Sequence, residues 1–518
     1  MAKLRIGVDR GAGFCLTAWV LGLAAAGAIA AVPHTANALA FTAGDLVISV
    51  YGDGDGSGTY ADNSASPITL DELTTTGTQV GQLVLPQSAP VVGGNYPISG
   101  EFGSSSEGTL EQSANGQDLV IAGYGVAAAT YNANPASYGG ATKSCITSGS
   151  SSITCFPLAQ TSSVPGYAAS TAAQNAGYSS TITVPRVVAL IDANGNVNTA
   201  TALTGVYNEN NPRSVATVNG SSFYLSGQGA SKTDTTTQGV FLAQLGATTA
   251  TPIDTSFDTR TVEIQNKQLY VSADSSEGSG SHENISSYST AGNLPTSTST
   301  ATILSGLQSK LTVSSSSQLN TLDTSISTGT KIYLSPENYF FANATTLYVA
   351  DSGAPKSDNN GSGGSAQGLS DGGLQKWTYN GSTWVLDYTL SAGLLNFVPD
   401  TTACTSNEVN CGTTGLIGLA GEVVGNTVEL FATNATLGDL DQTYLYGIDD
   451  SLSALTLPGS ESFTVLDTAV SDTLIRGVAF APVPEPASMA LLCGALAGLA
   501  AVRRRRVSST YWIGRVDS

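Results

Sequence analysis

Six residues fall at equivalent places when the recurring segments of this sequence are aligned: Glu107, Arg213, Arg260, Asn338, Ile417 and Arg476. Three guanidinium groups in one register would meet if the segments stood around a common axis. Such groups need an anion, Glu107 or water to satisfy them. The register therefore predicts either a carboxylate or uronic-acid ligand, or arginines that pair with loop acids and lock neighbouring units together. A second cluster is Asp53-Gly-Asp55-Gly-Ser57-Gly-Thr-Tyr-Ala-Asp62, with oxygen ligands at alternate positions and glycines that permit tight turns. It opens like a calcium loop, with Asp53, Asp55, Ser57 and Asp62 as ligands, although serine stands where a bidentate glutamate would close it. Calcium is the one candidate cofactor. Asp192-Ala-Asn-Gly-Asn196 reads better as a hairpin turn than as a cation loop.

The sequence gives little support to catalysis. His282 is the single histidine once the leader is gone, and no Gly-x-Ser-x-Gly elbow occurs. Paired carboxylates could serve a glycosidase, but 39 acids guarantee many chance pairs.

The elements that must position these groups are short strands between turns rich in Gly, Ser and Asn, with almost no helical periodicity. Arg213-Ser-Val-Ala-Thr-Val-Asn219 followed by Phe223-Tyr-Leu-Ser is echoed by Arg260-Thr-Val-Glu-Ile-Gln-Asn266 followed by Leu269-Tyr-Val-Ser. Further echoes open at Glu107, Asn338 and Ile417, and third strands follow at Gly239, Ile285, Leu374 and Thr443. Units of three or four antiparallel strands are the grammar of an all-β fold, a β-propeller. The last first-strand, Arg476-Gly-Val-Ala-Phe480, has no second strand after it, and Asp45-Leu-Val-Ile-Ser-Val-Tyr51 has no first strand before it. Joined as one blade they close a ring of six blades, or seven if two units have been merged. Short helices are expected only at the two termini, and long loops at 52–66, 132–180, 274–284 and 352–373 account for the irregular period.

The ends carry addressing information. Lys3, Arg5 and Arg10 precede an apolar run from Phe14 to Val32, and Ala38-Leu39-Ala40 is a small-x-small site. Residues 1–40 thus read as a signal peptide for signal peptidase, cut before Phe41. The other end reads Val483-Pro484-Glu485-Pro486, an apolar stretch at 487–502, and Arg503, Arg504, Arg505 and Arg506. The prolines hold an extended backbone that a protease can grip. The stretch makes a helix of about 24 Å, near the short end of a membrane span. The arginines hold its end in the cytoplasm. This ordered trio, at 482–506, resembles the PEP-CTERM sorting signal of Gram-negative bacteria. The resemblance implies processing by an exosortase, passage through the inner membrane, and a host that makes exopolysaccharide. Residues 507–518 continue past the point where such signals usually stop. The body, 41–481, resembles a group of secreted, propeller-like bacterial proteins with no assigned activity. The matching stretches are Gly44 to Gly54, Ser106 to Gly116, Leu347 to Asp351 and Arg476 to Phe480.

Composition narrows the partners. Charged residues are only 11% and the net charge is −20. Removing both ends takes eight of 19 bases but two of 39 acids, so the body is more acidic still. Such a surface repels phosphate backbones, which argues against a nucleic-acid partner. In an exported chain, the close spacings of Cys145 with Cys155 and of Cys404 with Cys411 predict two loop-stapling disulfides. The expectation is an exported surface or exopolysaccharide-associated binding or structural protein. The alternatives are a secreted glycan-active enzyme with carboxylates at the channel mouth, and an anchored protein–protein scaffold.

Overall fold

Runs of Val, Ile, Leu, Tyr and Thr fold as antiparallel strands wherever a glycine- or asparagine-rich turn lets the chain reverse. The computed structural model describes residues 40–484 apart from 57–59, 89–93, 147–151, 232, 274–283, 289–291, 308–309, 319–327, 330, 354–371 and 398–410. The expected cleavage position Ala38, the expected membrane helix at 487–502 and the extension 507–518 lie outside the described residues.

In chain order the strands begin with β1 (Leu46–Gly52), β2 (Ala65–Leu73), β3 (Gln79–Val84), β4 (Ser99–Glu101), β5 (Glu111–Gln112) and β6 (Asp118–Tyr124). A side hairpin, β7 (Lys143–Ile146) and β8 (Ser152–Cys155), precedes β9 (Arg186–Asp192) and β10 (Val197–Leu203). Four separate four-stranded sheets come next. The first is β11 (Pro212–Thr217), β12 (Ser222–Gly227), β13 (Val240–Gln244) and β14 (Thr251–Asp254). The second is β15 (Val262–Gln265), β16 (Gln268–Ala273), β17 (Asn284–Tyr288) and β18 (Thr302–Ile303). A two-stranded hairpin, β19 (Lys310–Thr312) with β20 (Lys331–Tyr333), intervenes. The third sheet is β21 (Pro336–Asn343), β22 (Thr346–Asp351), β23 (Gly373–Tyr379) and β24 (Trp384–Leu390). The fourth is β25 (Thr413–Val424), β26 (Thr427–Thr436), β27 (Tyr444–Ser451) and β28 (Thr464–Thr468). The last described strand, β29 (Thr473–Phe480), returns to pair antiparallel with β1, Leu46 opposite Phe480 and Gly52 opposite Thr473.

The remaining strands form one nine-stranded sheet. Within it, β29–β1–β2–β3 and β5–β6–β9–β10 are continuous antiparallel runs, and β4 bridges them by pairing with both β2 and β6. The arrangement is all-β and propeller-like, as the repeats predict. Apolar clusters lie between successive sheets. Val215, Phe223 and Leu225 pack on Val120 and Val188, and Tyr224 and Val240 on Val262 and Val271. Leu347 and Val349 meet Ile285; Tyr348 and Leu374 meet Leu416 and Val428; Phe431 and Leu445 meet Ile48 and Val478. A further cluster joins Tyr51 and Ile68 to Leu119 and Val187. Inner strands such as β11 are buried along their whole length, whereas the outer strand β3 leaves Val80 and Val84 half exposed.

The expectation of helices only at the termini is corrected. Two short α-helices interrupt the body: α1 (Ala128–Ala133) runs into the start of the loop expected at 132–180, and α2 (Thr171–Asn175) stands inside it, with a 3-10 turn at Pro135–Tyr138. Alanine supplies the propensity in both. Ser170 caps α2, its hydroxyl accepting from the Ala173 amide at 3.1 Å. α1 through Tyr131 and the 3-10 turn through Tyr138 pack against Ala65, Tyr124 and Leu158.

Candidate functional site

The inner strands share a local irregularity that aims their side chains. Ser214 faces Ser226 while Pro212 faces Gly227, so Arg213 is an extra residue, a β-bulge. The same shift places Ile417 between paired Leu416 and Gly418, and sets Arg476 and Gly477 together opposite Ser49. Arg260 and Thr261 share Ser272: the Arg260 amide donates to the Ser272 carbonyl at 2.8 Å, and the Ser272 amide to the Thr261 carbonyl at 2.9 Å.

The residues thrown out by these bulges meet. One small cavity is lined by Glu107, Arg213, Arg260, Ile417 and Arg476, together with Glu337 and Thr261. Asn338 alone of the six aligned residues turns elsewhere, its amide donating to Glu111 Oε1 at 3.1 Å. The cavity measures about 10 Å³, which is room for about one water.

The charges around it are arranged in sequence. Arg213 Nη1 donates to Asp258 Oδ1 at 2.5 Å and to the Thr259 carbonyl at 3.0 Å, and its Nη2 to Gln228 at 2.8 Å. Arg260 Nε stands 3.8 Å from Glu337 Oε2. Each arginine thus faces an acid that belongs to, or leads into, the following unit. Glu107 does not continue the pattern. It accepts from Tyr124 Oη at 2.6 Å, Asn211 Nδ2 at 2.5 Å and the Glu101 amide at 3.1 Å. Burial pushes its pKa up to about 7 against the pull of those hydrogen bonds and of Arg186 and Arg476. Arg476 is 2% exposed, and its Nε and Nη2 have no hydrogen-bond partner.

A second cavity, about 220 Å³, opens farther along the same inner strands. Glu111, Glu263, Gln112, Gln265, Phe340 and Phe480 help to line it. Burial raises the Glu263 carboxyl to about 8, and its Oε2 is enclosed without a partner. Glu111 is raised well above the carboxylate range by burial and by the Glu263 charge. Two carboxyls beside amides and aromatic rings can hydrogen-bond a polyhydroxylated ligand.

Asp53 is exposed and accepts from Tyr60 Oη at 3.1 Å; Asp62 is buried and accepts from Asn63; Asp55 is exposed and Ser57 lies outside the described residues. Among the described residues no three His, Cys, Asp or Glu gather as a metal site. His282 also lies outside the described residues. Cys145 and Cys155 form the expected disulfide; Cys411 is disulfide-bonded too, and the partner expected for it, Cys404, lies outside the described residues. Asp192 closes the expected hairpin between β9 and β10, its Oδ1 accepting from the Asn194 and Asn196 amides at 2.8 and 2.9 Å.

Two charged networks went unread in the sequence. Arg186 is fully buried, stacks 4.7 Å from the Tyr124 ring, and donates to the carbonyls of Thr161, Val184, Tyr207 and Asn210. Lys376 reaches Asp450 at 2.8 Å from the neighbouring sheet, and Tyr348 and Tyr388 donate to the same carboxylate. The signal available was a charged residue inside an otherwise apolar strand, as in Leu374-Gln-Lys-Trp.

Residues 482–506 match the family model of the PEP-CTERM protein-sorting motif. The motif marks a protein exported through the cell envelope to the cell surface and processed by an exosortase. Glu485, Pro486 and Arg503 to Arg506 lie outside the described residues, and Pro484 is the last described one. No helix among the described residues is long and apolar enough to cross a membrane. No curated protein matches the chain. Similar solved structures include a chain of a nidogen/laminin complex, at 8% identity and a TM-score of 0.33 over 84% of this chain and 98% of that one. Apo AztD from Citrobacter koseri is similar at 6% identity and a TM-score of 0.28, over 84% and 98%. The tricorn protease is similar at 9% and 0.25, over 83% of this chain and 36% of that one.

Proposed function

We propose that the exported chain is a glycan-binding or structural component of the cell surface, built on a six-bladed propeller spanning residues 41–481. The blade count rests on the four separate sheets plus the two runs β29–β1–β2–β3 and β5–β6–β9–β10. The observation that carries the functional reading is the contrast between the two cavities. The arginine cavity is closed by ion pairs and admits about one water, so its arginines serve mainly as ties between blades. The larger cavity presents carboxyls, amides and aromatic rings, the mixture that binds neutral saccharide hydroxyls. Exopolysaccharide of the host is the matching partner. Signal peptidase acts at Ala38 and Ala40, and exosortase at the Pro484-Glu485-Pro486 segment, before the product reaches the surface.

A second reading is a glycan-active enzyme, favoured by the pair Glu111 and Glu263 lining one cavity: burial raises both carboxyls, Glu263 to about 8, the direction a general acid needs. Titrating the exported protein with purified host exopolysaccharide separates the two. Saturable binding without shortening of the chains, weakened at least tenfold by Gln265→Ala together with Phe480→Ala, supports the binding role. Release of reducing ends that stops in Glu263→Gln supports the enzyme, and neither outcome would leave the protein–protein scaffold.

A further inference from the structure

We infer that the arginine cavity is a binding site for a monatomic anion, chloride in the cell's surroundings, held principally by Arg476. The inference stands apart from whatever the larger mouth binds.

Two of the three channel arginines follow one rule and the third breaks it. Arg213 has Asp258 and Arg260 has Glu337, each acid lying at or just before the next inner strand. The next unit after Arg476 offers Glu107, whose oxygens are already taken by Tyr124, Asn211 and the Glu101 amide. Asp439, Glu107 and Asp62 act on Arg476 through space, and Asp62 accepts from Asn63. The guanidinium is therefore 2% exposed, with Nε and Nη2 unpaired, against a cavity that its own side chain lines. A buried guanidinium in this state is costly, because desolvation is complete and the hydrogen bonds that would offset it are missing. The Tyr51 hydroxyl, close enough to feel the charge of Arg476, is a second enclosed donor with no acceptor.

Volume selects the ligand. About 10 Å³ holds one particle near the size of water, so a halide enters where a sugar carboxylate does not. Backbone approach narrows the site: a Cβ at Gly108 would stand 2.7 Å from Arg476 Cβ, and one at Gly477 would stand 2.4 Å from the Gly108 carbonyl. Charge at the site comes down to Arg476, since Arg213 and Arg260 face Asp258 and Glu337 and the lining Glu107 is pushed up to about 7 by burial.

The test compares the exported protein in sodium chloride and in sodium gluconate at equal ionic strength, gluconate being too large to enter. The midpoint of thermal unfolding should rise by several degrees with chloride and saturate. Crystals grown with bromide should give one strong anomalous peak within hydrogen-bonding reach of the Arg476 guanidinium. Arg476→Gln should abolish the difference between the salts. Identical midpoints in the two salts, or a cavity whose density carries no anomalous signal from bromide, would overturn the proposal without any variant having to fold.

Discussion

Single carboxyls set how this protein responds to pH. Glu263 holds its proton to about pH 8 and Glu107 to about 7, both because burial penalises the charged form. A carboxyl bound more tightly to its proton in the folded chain stabilises it fully below its unfolded pKa, about 4.5. That contribution drains away as pH climbs from about 4.5 to the folded values of about 7 and 8, so stability should decline across this whole window and level off above it. Glu263→Gln keeps the shape of the protonated group and removes the titration. We expect the variant to gain about 1–3 kcal/mol over the parent above pH 8, the cost of enclosing an unpaired polar charge, and to match it near pH 5. Denaturant melts at the two pH values measure this, and an unchanged slope with pH would place the Glu263 proton elsewhere. The arginines were legible in the sequence because bases are scarce in the body and the repeat fixed their register. Glu263 was not, for a geometric reason. In a regular strand Arg260 and Glu263, three residues apart, point to opposite faces. The bulge at Arg260 and Thr261 shifts that parity, and both side chains reach the channel cavities.

At the scale of elements, the bulges are tied from blade to blade by one hydroxyl each. Thr433 Oγ1 accepts from the Gly418 amide of its own bulge at 3.0 Å and donates to the Arg476 carbonyl of the next at 2.6 Å. Ser272 repeats this with the Thr261 amide at 2.9 Å and the Glu337 carbonyl at 2.6 Å, and Ser49 with the Gly477 amide at 2.8 Å and the Gly108 carbonyl at 2.5 Å. Ser226 supplies the donating half to the Arg260 carbonyl at 2.5 Å. The closing serine of the echoed strands, visible in Phe223-Tyr-Leu-Ser and Leu269-Tyr-Val-Ser, is this clamp. What the echoes did not reveal was its purpose, since the partner carbonyl lies in the following unit, tens of residues away. Thr433→Val keeps the shape and removes both bonds, leaving a buried amide and a buried carbonyl unpaired. The expected loss is about 1–3 kcal/mol, read from chemical denaturation, whereas Thr433→Ser should recover most of it. Equal stability of Thr433→Val and the parent would mean that the backbone groups find other partners.

For the whole molecule, closure and sorting meet within a few residues, and this fixes what processing can remove. β29 contributes Leu474, Ile475, Val478 and Ala479 to the core and covers the edge of β1 from Leu46 to Gly52. The Ala481 amide still donates to the Asp45 carbonyl at 2.8 Å, and the sorting motif begins at the next residue, 482. The ring of sheet contacts is therefore complete before the first residue that an exosortase reads. Removal of the tail should leave the fold intact, whereas losing one strand more exposes the β1 edge and opens the cluster of Ile48, Phe431, Leu445 and Val478. Two truncations state this as an experiment. A chain ending at Ala481 should unfold cooperatively within about 2–4 °C of the processed protein, the shift that follows from about 1 kcal/mol in a large domain. A chain ending at Asp472 should lose cooperative unfolding and aggregate through the uncovered strand. If the shorter chain melted like the longer one, the pairing of β29 with β1 would not be what closes the ring.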